Sequence, residues 1–141
     1  MVLRKVALIT GASRGVGFAA AKKIVSSFPH SPVYLTTKNQ QVTDSLNTSM
    51  RDHFGYRSSS CRYIHLDIED KHRVADIIGT EYSRIDILVN NAGVYEKLNR
   101  KELGRQARAN VGTNYFGLKN VMTRLRCGRF WWRRAALESS T

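Results

Sequence analysis

The sequence predicts an α/β protein: a doubly wound parallel sheet, incomplete, with about four or five strands and flanking helices. Three observations carry that expectation. Short, almost uninterrupted apolar runs recur along the chain, as strands buried on both faces require. Segments with apolar residues at helical spacing alternate with them. A glycine-rich turn, Thr10-Gly-Ala-Ser-Arg-Gly-Val-Gly17, joins the first run to the first such segment.

Residues 6–10 form the first apolar run, stopped by Gly11. Val16, Ala19, Ala20, Ile24 and Phe28 then recur at helical spacing over 15–28, and Pro29 with Pro32 closes the segment. A second strand is expected at 33–37, and a weaker helix at 41–54 ending near Gly55. The third strand is expected at 62–66 and a helix at 70–82, with Asp70 as its N-cap. A fourth strand at 85–90, a polar loop and a long helix over 105–125 complete the pattern. Each crossover between parallel strands is expected to be right-handed. The segment 126–141 differs in texture. Gly128 to Trp132 has the makings of a fifth strand, but paired tryptophans followed by Arg133 and Arg134 suit a buried parallel strand poorly.

The 141 residues are enough for one domain with a hydrophobic core, and an apolar share of 42% is ordinary for a globular protein. No apolar run reaches the ~18–20 residues that span a membrane. Nor does the N-terminus resemble a signal peptide. Cys61 and Cys127 stand apart with no CxxC spacing, and His30, His53, His65 and His72 are not clustered. Neither a disulfide framework nor a metal site is expected, and free thiols point to the cytoplasm. The net charge of +12 admits a polyanion partner, yet the basic residues are spread along the chain. Nucleic acid is therefore not the expected partner.

The glycine turn carries the chemistry. Gly11 permits the tight turn, Gly15 lets backbone approach a pyrophosphate, and Gly17 lets the helix pack closely on the sheet. The helix start adds unpaired N–H groups and a partial positive charge, which suit phosphate. Its spacing is TGxxxGxG, with Asp67 after the third strand, Asn90-Asn-Ala-Gly93 after the fourth, and Asn114 within Thr113-Asn-Tyr-Phe-Gly117. In these four motifs, in this order, the chain resembles the short-chain dehydrogenase/reductase family over residues 2 to about 125. Residues 35–39, 65–68 and 113–117 look most like its cytosolic monomeric carbonyl reductases.

The resemblance implies a Rossmann-type fold in which residues 1–125 form an NADP(H)-binding half and 126–141 a divergent basic tail. It implies an oxidoreductase that, when complete, reduces aldehydes, ketones or quinones by hydride transfer, with a small carbonyl compound as substrate. Gly11, Ser13, Arg14, Gly15, Val16, Gly17, Lys38, Asp67, Ile68, Asn90, Ala92 and Gly93 would bind the cofactor. Asp67 would lie against the adenine and the NNAG motif beside the ribose. Asn114 would be the one member of the catalytic tetrad present.

NAD sites place an acid near the end of the second strand, on the ribose hydroxyls. This strand ends Thr36-Thr37-Lys38-Asn39, without an acid, and Arg14 and Lys38 are two cations able to flank a 2′-phosphate. The sequence therefore favours NADP(H).

The family's serine and YxxxK elements are not found. Tyr34 and Lys38 fit the letters, but on a strand they stand about 13 Å apart. Tyr115 and Lys119 fit on a helix, yet directly follow Asn114, so Tyr115 is read as a packing residue. The tail has the look of a truncation, an alternative transcript or a shifted frame, which leaves the fourth strand with an open edge inviting association. Three readings stand: a carbonyl reductase by descent; a non-catalytic NADP(H)-binding fragment or interaction module; a basic polyanion binder.

Overall fold

A computed structural model describes residues 5–77, 85–95 and 101–127. Its elements are β1 (Ala7–Ile9), α1 (Gly15–Ser27), β2 (Val33–Thr37), α2 (Gln40–Thr48), α3 (Met50–Phe54), β3 (Cys61–His65), α4 (Lys71–Asp76), β4 (Ile87–Val89), α5 (Leu103–Val111) and α6 (Leu118–Cys127). The strands form one sheet in the order β3-β2-β1-β4, every pair parallel. Ala7 is in register with Val33 on one side and Ile87 on the other, and Val33 with Cys61.

Alternation along the strands splits the core in two, as a sheet covered on both faces requires. Ala7, Ile9, Val33, Leu35, Cys61 and Tyr63 pack with Ala21 and Val25 of α1 and Met50 and Phe54 of α3. Leu8 points the other way, into a cluster with Leu66, Ile68, Val74, Ile77 and Val121. The expected doubly wound α/β architecture is thus present, with four strands among the described residues.

Two helices depart from the sequence expectation. The single helix expected over 41–54 is broken at Ser49, which ends α2 and opens α3. Thr48 and Ser49 donate their hydroxyls to the carbonyls of Asp44 and Ser45, at 3.0 and 3.1 Å, a side-chain bond that bends helices. The bend lets α3 bury Met50 and Phe54 before Gly55, at φ 58°, ends it where expected. The long helix expected over 105–125 is interrupted by a π-helical turn, Gly112–Gly117, between α5 and α6. A side chain at Gly117 would meet Ile68 Cγ1 at 2.6 Å, so the helix must pass close to the loop after β3. Helix α4 spans only the first part of the helix expected over 70–82, and residues 78–84 lie outside the described residues, as do the tail from 128 and the fifth strand considered at 128–132. Asp70 caps α4 as expected, its carboxylate accepting from Arg73 N at 2.9 Å.

Strand β3 ends the sheet order, and its outward backbone is not bare. Asn47 of α2 accepts from Tyr63 N at 2.9 Å and donates to Tyr63 O at 3.0 Å, filling the place of a further strand. Edge strands protected in this way resist pairing with other chains.

Candidate functional site

The strand order reverses at β1: the chain runs outward through β2 and β3, then returns to place β4 on the other side. In open α/β sheets the crevice at such a switch point, outside the carboxyl ends of the strands, is where ligands bind. A cavity of about 690 Å³ opens there, within the size range of small-molecule and cofactor sites. Each strand contributes the residues that follow it. Gly11, Ser13, Arg14 and Val16 come from the turn after β1, and Thr36 to Asn39 with Val42 from β2 and the start of α2. Leu66, Asp67 and Ile68 follow β3, Asn91 to Val94 follow β4, and Thr113 reaches in from the π turn.

The glycine turn is built as a cradle. Gly11 and Gly15 have φ of 64° and 60°, the left-handed region that favours glycine. Around Gly15 the space is open, whereas a side chain at Gly17 would run into the Asn91 amide and the Gly11 carbonyl, the latter at 2.5 Å. Gly17 therefore secures close packing of α1 on the two loops, and not on the sheet as the sequence suggested. Helix α1 begins after Arg14 with no side-chain cap, which leaves its first N–H groups for a ligand or water. Val16, 77% exposed, is an apolar residue on the wall of the cavity at this helix start.

Thr10, which is buried, and the half-buried Asn91 stitch the turns together. Thr10 Oγ1 accepts from the N–H groups of Asn91 and Ala92, both at 3.0 Å, and donates to Asn90 Oδ1 at 3.4 Å. Asn91 Nδ2 donates to the carbonyls of Thr10 and Gly11 at 3.2 and 3.0 Å. The β2 end joins in through Ala12 N, which donates to Thr36 O at 3.0 Å. Tyr63 crosses from β3, its hydroxyl donating to Ala12 O at 3.2 Å. Burial, then the neighbouring Cys61, pushes the Tyr63 phenol up to about 12, and burial pushes the Cys61 thiol up to about 11.

Of the residues expected to bind a cofactor, Gly11, Ser13, Arg14, Val16, Lys38, Asp67, Ile68, Ala92 and Gly93 line the cavity. Gly15, Gly17 and Asn90 do not. Asn90 turns its side chain toward the helical layer, its Nδ2 donating to Leu118 O at 3.4 Å. Asn91, its neighbour, is the residue that faces the cavity, a distinction that two adjacent asparagines conceal until the strand register is known. Asn114 lies outside the lining. Its side chain grips the backbone of Val94, accepting from Val94 N and donating to Val94 O, both at 2.8 Å. It thereby ties the loop after β4 to the π turn. Tyr115, read from sequence as a packing residue, is 58% exposed and meets the Phe116 ring edge-on at 5.0 Å. It lies within the π turn, and the packing role expected of it is not seen beyond the Phe116 ring among the described residues.

Sequence reasoning weighed Glu69 only as part of an acid pair with Asp67 or Asp70 and gave it no place in the cofactor site. Glu69 pairs with Lys38 at 3.4 Å, accepts a short hydrogen bond from the Thr113 hydroxyl, and lies against Gly112. Asp67 reaches the same ammonium at 3.6 Å and also accepts from Glu69 N at 3.0 Å. Asn120 of α6 fixes this loop further by donating to Ile68 O at 3.0 Å. Among the described residues no cluster of metal-ligating side chains occurs, and no helix is long and apolar enough to cross a membrane.

Comparison with known proteins agrees with this architecture. Residues 5–126 match the sequence profile of short chain dehydrogenases. Carbonyl reductase (NADPH) 1 of Mus musculus is 30% identical over 126 residues, covering 86% of this chain and 44% of the relative. Its counterpart in Sus scrofa is 32% identical over 125 residues, covering 86% and 42%. The chain thus spans less than half the length of these curated relatives. A crystal structure of a short-chain dehydrogenase from Streptomyces avermitilis superimposes with a TM-score of 0.68 at 29% identity, over 89% of this chain and 44% of that one. Motifs, sheet order and profile coincide over one stretch, and on that ground the chain belongs to the short-chain dehydrogenase family.

Proposed function

We propose that this chain binds NADP(H) in the cavity at the carboxyl ends of its strands, and that it is the cofactor half of a carbonyl reductase-type oxidoreductase. One observation carries the reading: β2 delivers Lys38 to the cavity wall where an NAD site would need an acid, and Arg14 of the glycine turn lines the same cavity. A 2′-phosphate would gain from both cations, and a carboxylate at this place would repel it. The open space at Gly15 and the uncapped start of α1 suit the pyrophosphate. Asp67 and Ile68 suit the adenine, and Asn91 to Gly93 the ribose. The names of the carbonyl reductase (NADPH) relatives support the same choice of cofactor.

Bound NADPH supplies a hydride. This chain's residues bind and orient the dinucleotide, with Asn114 holding the loop beyond β4 through Val94. Reduction of an aldehyde, ketone or quinone also needs a proton donor for the developing alkoxide. Tyr115 and Lys119 do not suit that role: Tyr115 is exposed and outside the cavity lining. The reading for these 141 residues alone is binding without reduction, and reduction belongs to a protein that adds a serine and a YxxxK helix.

Titration of the whole chain with NADPH and NADH tests the proposal. Lys38→Asp is expected to weaken NADPH binding by about tenfold or more, with a smaller effect on NADH. Equal losses of both would remove Lys38 from phosphate recognition.

A further inference from the structure

The cation that the preceding proposal gives to the 2′-phosphate is already engaged. Lys38 Nζ lies 3.4 Å from Glu69 Oε1 and 3.6 Å from Asp67 Oδ2. The three partners are not equally free. Lys38 is 62% exposed, on a long flexible stem, and its ion pairs at the surface are individually weak. Glu69 is anchored: the same Oε1 accepts from the Thr113 hydroxyl, and Thr113 is itself buried in the π turn. Asp67 is anchored by Glu69 N. A phosphate arriving at Lys38 can draw the ammonium away, but the two carboxylates stay. Arg14 and Lys38 on the cavity wall are then offset by Asp67 beside them and by Glu69, which stands outside the lining but 3.4 Å from Lys38 Nζ, so the cluster that would receive a dianion has no net positive charge.

From this we infer that Glu69 is a specificity-determining residue that holds down the preference for the phosphorylated dinucleotide. Its fixed charge repels the 2′-phosphate and competes for Lys38, while an unphosphorylated ribose meets neither effect. The inference rests on the NADP(H) reading and adds to it: the chain discriminates less between NADPH and NADH than Arg14 and Lys38 alone would dictate. Glu69 and not Asp67 is the residue to test, because Asp67 also faces the place proposed for the adenine.

The experiment measures Kd for NADPH and NADH with the whole chain and two variants. Glu69→Gln keeps an oxygen for the Thr113 hydroxyl and removes the charge. It is expected to raise the NADPH-over-NADH preference by about three- to tenfold, with the gain shrinking at high salt. Thr113→Val removes the anchor's hydrogen bond and leaves the charge, so it should raise the preference less than Glu69→Gln does. An unchanged preference in Glu69→Gln, with wild-type NADPH binding intact, overturns the inference and leaves the cofactor reading standing. A wild-type chain that binds neither dinucleotide overturns both.

Discussion

Gly15 and Gly17 sit two positions apart in one motif and answer to different constraints. At Gly15 only the backbone angle asks for glycine, since no atom crowds the place of a side chain. Gly15→Ala should therefore cost about 1 kcal/mol in denaturant unfolding. At Gly17 a methyl group would strike the Gly11 carbonyl and the Asn91 amide. Gly17→Ala should cost about 2–3 kcal/mol and separate the loops that shape the cavity, so dinucleotide binding should fall with stability. Similar losses for the two variants would contradict the packing described. The motif already gives the two glycines different roles, but only the fold shows that the neighbours crowding Gly17 belong to the loops after β1 and β4. The same holds for Asn90 and Asn91, whose sides depend on register, and for Glu69, whose partners are 31 and 44 residues away in sequence.

Strands were the most legible elements, because sheet burial on both faces leaves an unbroken apolar run. The expected run at 33–37 coincides with β2, and the others shift by a residue or two. Helical interruptions were not legible. The π turn ends at Gly117, which passes close against Ile68, a tertiary contact that periodicity along one segment does not record. Strand β3 carries two predictions at this scale. Asn47→Ala strips the cap from Tyr63 N and O and should cost about 1–2 kcal/mol, with faster aggregation in light scattering. Cys61 has its folded-state pKa raised to about 11 from an ordinary value of 9.0, so the folded form holds the proton more tightly. Its contribution is complete below pH 9.0 and is lost as pH rises toward 11. Urea midpoints measured across that window should decline less steeply in Cys61→Ala than in the parent chain.

At the scale of the molecule, the two core clusters and the strand order β3-β2-β1-β4 together make the cavity. Burial of alternate strand residues on opposite faces sends the connections to both sides, and the reversal at β1 parts the loops after β1 and β4. The fold class was readable from the sequence because it rests on pattern. The cavity's charge balance was not, because it depends on which side chains meet. Thermal unfolding of the whole chain with and without dinucleotide is the most direct test of the cofactor reading. NADPH at a hundred times its Kd should stabilise the folded form by about 2.7 kcal/mol, with a rise in Tm that grows with concentration. A melting temperature unmoved by NADPH and NADH alike would contradict it.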